Sequence, residues 1–196
     1  MIAVIRYSAG NVLSVMNALS RLGRDAILTD DPKAIKSADH VIFPGVGEAS
    51  SAMRYLRDHG LDEVIRNLTQ PFLGICLGMQ LMCSASDEGN TECLGIFPER
   101  VTLFPGGRGF KIPHMGWNNL EKLSGPLFGH VSSGEYVYFV HSYYVPASCY
   151  SSAVTEYDGI SFSASLSKDN FHGVQFHPEK SGDVGERILR SFLEEL

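Results

Sequence analysis

The sequence predicts an α/β fold, in which a mostly parallel central sheet is flanked by helices and carries an antiparallel β extension. In the first half, short apolar runs alternate with segments of helical spacing, and this rhythm is typical of right-handed crossovers between parallel strands. In the second half, β-rich segments follow one another through short turns. The 196 residues contain no repeat, low-complexity tract or linker, so a single domain over residues 1–196 is expected.

Four strands and the helices between them account for the first half. Asn11 can cap the first helix, whose apolar residues recur at helical spacing, and Gly23 can end it. The third strand leads through the loop PGVGEA into another helix. The fourth strand runs into a helix that is predicted from Leu77 to about Ala85. The four strands are predicted at residues 2–7, 26–29, 40–44 and 71–76.

The second half is predicted to be mainly β and to close on a helix at residues 183–195. The segment KIPHMGWN carries proline, glycine and asparagine around Trp117, the only tryptophan of the sequence, and is predicted to be a surface turn. The strands are predicted in the segments RVTLF, YVYFVHSYYV, SSAVTEY, ISFSASLS and HGVQFH.

The composition is that of an ordinary globular chain, with 44% hydrophobic and 19% charged residues. Sixteen Lys and Arg against 22 Asp and Glu give a net charge of −6, so neither nucleic acid nor an anionic membrane surface is expected as a partner. No apolar run approaches the ~20 residues of a membrane helix, and the first residues resemble a strand rather than a signal peptide.

The cysteines and histidines give no sign of a disulfide framework or a metal site. The four cysteines form no C-x-x-C pair, and the seven histidines are scattered. Cys83, Cys93 and Cys149 are therefore expected to be structural thiols, and no metal or cofactor is expected. Together these features favour a cytoplasmic location.

The segment GICLG, residues 74–78, has the form of a nucleophile elbow, in which small residues flank a nucleophile, here Cys76. A sharp strand-to-helix turn needs small residues on both sides, because neighbouring backbone crowds it. The following helix would point its N-terminus at the thiol and favour an anion there. The alternative is a buried and inert thiol, since free cysteine is among the most buried residue types.

His177 is the candidate base for this thiol. It ends the strand-like run GVQF and is followed by Pro178 and Glu179. On an extended backbone, residues i and i+2 point the same way, so Glu179 is expected to orient the ring of His177 and to stabilise its charged form. The alternative is a solvent-facing strand end with a turn. The elbow and this segment are independent in sequence, but both are expected at the same edge of a parallel sheet.

The loop FPGVGEA after the third strand is the candidate oxyanion site. Gly45 and Gly47 flank Val46, so backbone N–H groups can turn inward, and Leu77, directly after the nucleophile, would supply another N–H donor. A plain glycine-rich turn is the alternative. A phosphate-binding loop is a weaker interpretation, because the Lys and Ser/Thr of a Walker loop and the full G-x-G-x-x-G pattern are missing.

The segments PGVG, GICLGMQ and GVQFHPEKS, in this order, resemble those of the class I, or triad, glutamine amidotransferases over nearly the whole chain. Within that class, PGVGEA, KIPHMGWN, YFVHSYY and FHPEKSG resemble the glutaminase subunits of imidazole glycerol phosphate synthase, an enzyme of histidine biosynthesis. Other members of the class carry a different glycine motif after the third strand, or a different elbow and oxyanion loop.

The resemblance implies an enzyme that hydrolyses L-glutamine to glutamate and ammonia through a γ-glutamyl thioester. Cys76 would be the nucleophile, His177 the base and Glu179 the group that orients it, while the glycine loop would form the oxyanion strand. The residues that would hold the substrate are Gln80, Glu88, His141, Ser142 and Tyr143. For Gln80 and Glu88 the alternative is a position on a solvated helix face.

The resemblance also implies a partner, a (β/α)8 cyclase subunit that receives the ammonia and forms a heterodimer with this chain. Trp117, Tyr138 and Lys180 would lie against it, and a tryptophan in a surface turn suits an interface anchor. A core tryptophan is the alternative. The isolated chain is expected to hydrolyse glutamine slowly, because the oxyanion strand, with Val46 as the moving residue, would turn inward only when the partner and its nucleotide-like ligand bind.

Other functions are compatible with the same residues. The triad also fits the glutaminase of another amidotransferase or a γ-glutamyl hydrolase. A catalytically silent assembly module with an inert Cys76 is an interpretation from a different class. It is disfavoured because the nucleophile, His177, Glu179 and the glycine loop are all intact.

Overall fold

The computed structural model defines residues 1–7, 12–107 and 111–196, so the predicted cap at Asn11 lies outside the described residues. The helices α1–α6 are Val12–Arg21, Pro32–Ser37, Ala49–Asp58, Leu61–Arg66, Leu77–Leu81 and Gly182–Glu194. The strands β1–β13 are Ile2–Ile5, Ala26–Thr29, His40–Gly45, Phe72–Cys76, Ala85–Ser86, Thr91–Glu92, Arg100–Leu103, His114–Asn119, Tyr136–His141, Tyr143–Tyr144, Ser151–Tyr157, Ile160–Lys168 and Phe171–Val174. Within these ranges no helix is long and apolar enough to cross a membrane.

A seven-stranded sheet in the order β11-β12-β13-β4-β3-β1-β2 forms the centre of the fold. The five strands from β13 to β2 are parallel, and β12 and β11 extend this sheet in the antiparallel direction. The predicted fold class is therefore confirmed. Two smaller sheets, β10-β7-β5-β6 and β8-β9, lie outside the central one.

The apolar core lies on both faces of the central sheet, because buried strands direct alternate side chains to opposite faces. On β3, Val41 and Phe43 belong to one cluster and Ile42 to the other. The first cluster includes buried residues of α2, α3, α4 and α5, and the second includes those of α1 and α6. This layering brings the carboxyl ends of β3, β4 and β13 to one edge, where Gly45 lies opposite Cys76.

Besides the predicted strand HGVQFH, which ends at Val174, three predicted elements differ from the structure. The helix after β4 ends at Leu81 rather than near Ala85, because the carbonyls of Leu81, Met82 and Cys83 accept N–H groups of residues 94–97 instead of continuing the helical ladder. The predicted strand YVYFVHSYYV is broken at Ser142 into β9 and β10, which belong to different sheets. The predicted surface turn around Trp117 is strand β8.

Candidate active site

Cys76 stands at the junction of β4 and α5, with φ 54° and ψ −110°. Residues with a side chain rarely adopt such a backbone conformation, and strain of this kind concentrates at functional sites. The flanking glycines are needed for space: a Cβ on Gly78 would lie 1.9 Å from the carbonyl oxygen of Phe43, and one on Gly74 would lie 2.7 Å from the carbonyl of Gly78. The small residues of the GICLG segment therefore allow a strained, tightly packed elbow.

His177 and Glu179 form a buried pair beside this elbow. Nδ1 of His177 lies 2.8 Å from Oε1 of Glu179, and their side chains are 2% and 1% exposed. Since a carboxylate only accepts hydrogen bonds, Nδ1 carries the proton and donates it. Nε2 is buried and makes no hydrogen bond of ordinary geometry within the described residues, which leaves it for exchange of a proton with Cys76.

The expected backbone geometry of this pair was wrong, although the expected contact is present. Strand β13 ends at Val174, and residues Pro178–Lys180 form a short 3-10 helix rather than an extended segment. Glu179 therefore reaches the ring through a turn. Burial lowers the pKa of His177, but the interactions of the ring with the nearby Cys76 sulfur and with the Glu179 carboxylate outweigh this effect and raise the pKa to about 10. The charged imidazolium is thus favoured at this position.

The glycine loop lies next to the elbow, as the sequence suggests. Gly45 pairs with Cys76 across β3 and β4, Gly47 has a φ of 113°, and Val46 and Gly47 line the cavity in front of the thiol. Leu77 is the first residue of α5, so its N–H has no acceptor within the helix. Beneath the loop, a Cβ on Gly45 would lie 2.4 Å from the Tyr7 hydroxyl.

A cavity of about 330 Å³ opens in front of Cys76, within the usual size range of small-molecule sites. All five residues that the sequence predicted to hold a substrate line this cavity, whereas Gly45, His177 and Glu179 do not. Its walls are formed by Val46, Gly47, Cys76, Leu77, Gln80, Glu88, Pro113, Val140, His141, Ser142 and Tyr143.

Glu88 has a second contact besides its place in the cavity wall. Its Oε2 accepts the backbone N–H of Ala49 at 2.8 Å, at the start of α3. Burial raises the pKa of Glu88, and the N–H of Ala49 opposes that shift. Glu88 lies after the elbow helix, in a short 3-10 helix, so its carboxylate both caps a helix and faces the cavity rather than lying on a solvated helix face.

A chain of two side-chain amides, the predicted Gln80 and the unpredicted Gln175, reaches the thiol. Nε2 of Gln80 donates to the carbonyl of Tyr143 and to Oε1 of Gln175, each at 2.9 Å. Nε2 of Gln175 donates to Sγ of Cys76 at 3.6 Å. Gln175 belongs to the segment GVQFHPE that indicated His177. A single glutamine in a sequence gives no sign that its side chain is buried or that it contacts a nucleophile.

The predicted partner residues lie on one surface near His177. Trp117 is 56% exposed on β8 and packs against Tyr138 of β9, with ring centroids 6.0 Å apart. Lys180 is exposed in the 3-10 helix after His177. The backbone N–H of His177 donates to the carbonyl of Tyr138 at 2.9 Å. This surface is therefore hydrogen-bonded directly to the segment that carries the candidate base.

The cysteines are all free. Cys76, Cys83 and Cys93 are buried, and Cys149 is exposed. Burial raises the pKa of Cys83 well above its ordinary value and that of Cys93 to about 11. These two thiols are therefore protonated at neutral pH.

Residues 9–196 match the profile of the family described as glutamine amidotransferase class-I, and the chain belongs to this family. Among its relatives, the imidazole glycerol phosphate synthase subunit HisH of Bacteroides fragilis (strain YCH46) is 56% identical over 194 residues, which are 98% of each chain. The protein of the same name from Bacteroides thetaiotaomicron is 54% identical over 98% of each chain. These relatives confirm the predicted resemblance to the glutaminase subunits of imidazole glycerol phosphate synthase.

Solved structures agree on the fold. A structure described as a glutamine amidotransferase matches with a TM-score of 0.74 at 18% identity, covering 99% of this chain and 98% of that one. The PurLQS structure from Thermotoga maritima matches with a TM-score of 0.71 at 18% identity, covering 99% and 97% of the two chains. At this identity the match supports the fold and not a particular substrate.

Proposed function

We propose that this glutamine amidotransferase is the glutaminase subunit of an imidazole glycerol phosphate synthase. It hydrolyses L-glutamine to glutamate and ammonia and passes the ammonia to a (β/α)8 cyclase subunit in histidine biosynthesis. The observation that carries the proposal is the strained Cys76 elbow, which lines a cavity and interacts with the ring of His177, itself held by the buried Glu179. We place the reaction in the cytoplasm, in keeping with four free cysteines.

In the first half of the reaction, the thiolate of Cys76 attacks the side-chain amide carbon of glutamine. The S–C bond forms, the C–N bond breaks, and the imidazolium of His177 gives its Nε2 proton to the departing nitrogen, so that ammonia leaves. Glu179 keeps the other proton of the ring on Nδ1, 2.8 Å away. The raised pKa of His177 matches this role, because the ring must hold a proton beside a thiolate before attack.

In the second half, water hydrolyses the thioester. The water oxygen bonds to the carbonyl carbon, Nε2 of His177 takes the water proton, and the C–S bond breaks to release glutamate and the thiolate of Cys76. Both halves pass through an oxyanion. We assign its stabilisation to the backbone N–H groups of Leu77 and of the loop at Val46 and Gly47, which border the cavity at the thiol.

The cavity supports glutamine as the substrate. The carboxylate of Glu88 faces it from one wall and can pair with the α-ammonium group, while the backbone of the segment from His141 to Tyr143 forms another wall. Gln80 directs its Nε2 away, toward Tyr143 and Gln175, so its Oε1 is the atom that can accept a hydrogen bond from the ligand. Both side-chain groups present acceptors to the amine end of the substrate.

The surface of Trp117, Tyr138 and Lys180 supports the partner assignment. It combines an exposed tryptophan with a tyrosine, and both residue types are enriched among interface anchors. The backbone carbonyl of Tyr138 accepts the N–H of His177, so a partner bound at Tyr138 would contact a residue that is hydrogen-bonded to the candidate base. A glutaminase of another amidotransferase remains the second candidate, but the HisH relatives that match over almost the whole chain favour the first.

The test is glutamate release from L-glutamine by the purified chain, with and without a cyclase subunit and its ribonucleotide substrate. We expect slow release alone and strong stimulation by the complete mixture. Full activity of the chain alone, unchanged by the cyclase and its substrate, would contradict the partner assignment. Cys76→Ala should abolish glutamine-dependent synthesis in the complex while synthesis from added ammonia continues.

A further inference from the structure

We propose that Gln175 is a further catalytic residue of this site, whose side-chain N–H stabilises the thiolate of Cys76 and fixes the position of its sulfur. The proposal rests on the glutamine hydrolysis proposed above. It adds a donor to the sulfur itself, whereas the oxyanion loop serves the substrate oxygen and His177 serves proton transfer.

The side chain of Gln175 is fully buried, and both of its ends have a partner. Nε2 lies 3.6 Å from Sγ of Cys76, and Oε1 accepts from Nε2 of Gln80 at 2.9 Å. The backbone N–H of Gln175 is already bonded to the carbonyl of Ala164 at 2.8 Å. The amide therefore contacts the nucleophile but does not line the cavity.

The direction of these hydrogen bonds follows from the backbone carbonyl of Tyr143, which can act only as an acceptor. The end of Gln80 that lies 2.9 Å from this carbonyl must therefore be the NH₂ group. The same NH₂ group contacts Gln175, so the contacting end of Gln175 must be its oxygen. The other end of Gln175, which faces the sulfur, is then an N–H donor rather than an acceptor.

A donor aimed at sulfur matters only where the sulfur carries charge. A thiolate accepts a hydrogen bond far better than a neutral thiol or a thioester, because charge-assisted hydrogen bonds are the strong ones. In the proposed reaction, Sγ is anionic before it bonds to the amide carbon and again when the C–S bond breaks during hydrolysis of the thioester. Gln175 takes no proton in either step. The Gln175 side chain stabilises the two states of the reaction in which Sγ is a thiolate.

The competing explanation is that Gln175 only fills space in the core. A buried amide needs partners for its donors and acceptor, and Gln80 with Cys76 would then merely supply them. The two explanations differ in one measurable property. Replacing a working donor by an uncharged group of similar shape changes the pH dependence of the thiol, whereas replacing a packing residue in the same way changes stability and leaves that dependence unaltered.

The experiment measures alkylation of Cys76 by iodoacetamide as a function of pH in the full-length chain. The background carries Cys149→Ser, because Cys149 is the exposed thiol, whereas burial raises the pKa values of Cys83 and Cys93. Gln175→Glu places a carboxylate against the sulfur, and Gln175→Met removes the donor while keeping the shape. Mass spectrometry of the modified peptide identifies the alkylated residue.

We expect Gln175→Glu to slow alkylation of Cys76 at neutral pH by roughly tenfold to a hundredfold, with the half-maximal rate moved upward by ~1–2 pH units. Gln175→Met should shift the profile in the same direction by less. Gln70→Glu is the matched control: Nε2 of Gln70 donates to the carbonyl of Ile35 at 2.9 Å, near the opposite end of β4. Its profile should coincide with that of the background.

Folding is monitored by circular dichroism and thermal melting, and Gln175→Met decides between the two explanations because it adds no charge beside the sulfur. A folded Gln175→Met variant whose alkylation profile coincides with that of Gln70→Glu would overturn the proposal. Reduced glutamine turnover without any change in the thiol profile would do the same and would leave Gln175 as a packing residue. Alkylation needs no glutamine, so a failure of the proposed function would appear only in the glutamate-release assay.

Discussion

Nδ1 of His114 lies 3.0 Å from Nε2 of His141, and both rings are buried. Nδ1 of His141 lies 2.7 Å from the carbonyl of Tyr143, which only accepts, so this nitrogen carries the proton of His141. Nε2 of His141 is then an acceptor, and Nδ1 of His114 must donate to it. Nε2 of His114 is left to accept from the amide of Asn118 at 3.3 Å. Both rings are therefore neutral, and every ring nitrogen already has a role.

This arrangement predicts that acid destabilises the fold. Burial lowers the pKa of His114 to about 4 and, with the smaller repulsion of neighbouring histidines, that of His141 to about 3. In the unfolded chain a histidine titrates near pH ~6.5, so below that pH the unfolded state binds more protons. The free energy of unfolding should fall as the pH drops from ~6.5 toward ~4, by at most ~1.4 kcal/mol per pH unit for each ring.

Urea unfolding at a series of pH values measures this slope. His114→Gln can still donate to His141 but no longer titrates, so it should show a smaller loss of stability between pH 6.5 and pH 4.5 than the unaltered chain. Equal slopes in the two proteins would mean that His114 is not held neutral by the fold.

The strained backbone of Cys76 predicts a reversal of the ordinary order of alanine and glycine. At most positions glycine is the less stable of the two, because it gains more entropy on unfolding. At φ 54° and ψ −110° the methyl group of alanine is disfavoured, so Cys76→Gly should be more stable than Cys76→Ala by ~1–2 kcal/mol. Both variants should lack glutaminase activity. Thermal melts of the pair decide the point, and an alanine variant that melts higher would show that the elbow carries no strain.

The sequence alone predicted those parts of the fold and site that depend on short continuous segments of the chain. The buried runs of β1, β3 and β4 are visible as apolar stretches, and the elbow and the His177 segment are local motifs. Helix α2, Pro32–Ser37, is too short for its periodicity to be seen, although Asp31 and Pro32 mark its start: Asp31 accepts the N–H of Lys33 at 3.0 Å. The sequence therefore contains a signal for this helix in its N-terminal cap.

Other parts could not be predicted because they depend on residues that meet only in the folded chain. Gln175 and Cys76 are 99 positions apart, and His114 and His141 are 27 apart. In the sequence, neutral amide and imidazole side chains have no charge pattern or periodicity that would indicate which residues contact one another. The early end of helix α5 has the same origin, because the segment at residues 94–97 takes its last carbonyls. Long-range hydrogen bonding therefore overrides local helix preference at this point.

The contact between His177 and Glu179 predicts a strong effect of Glu179→Gln. The carboxylate accepts from Nδ1 and so keeps Nε2 available for the thiol. A glutamine at position 179 can present its NH₂ group to Nδ1 and favour the tautomer with the proton on Nε2, so the ring could no longer serve as a base at that atom. The kcat for glutamine in the complex with the cyclase should fall by about 10²–10⁴-fold, with little change in KM.

The matched control for that prediction is Glu186→Gln, which removes a carboxylate from an exposed i,i+4 ion pair with Arg190. Its effect on kcat should be negligible, since exposed pairs contribute little. Histidine NMR adds a second readout, because the pKa of His177, raised in the unaltered chain by Cys76 and Glu179, should fall in Glu179→Gln. Unchanged titration of His177 together with unchanged kcat would remove Glu179 from the triad.

The exposure of Trp117 predicts that Trp117→Ala weakens coupling to the cyclase more than it weakens the fold. The ring is 56% exposed and packs edge-on against Tyr138, so truncation should lower the melting temperature by no more than ~2–4 °C. If it is an interface anchor, the cyclase concentration that gives half-maximal stimulation of glutamate release should rise by ~30-fold or more. Leu28→Ala, which truncates an exposed side chain on the edge strand β2, should leave that concentration unchanged. A large fall in melting temperature with an unaltered cyclase titration would instead assign Trp117 to the packing of β8 against β9, and partner recognition would then have to lie on other residues of this surface.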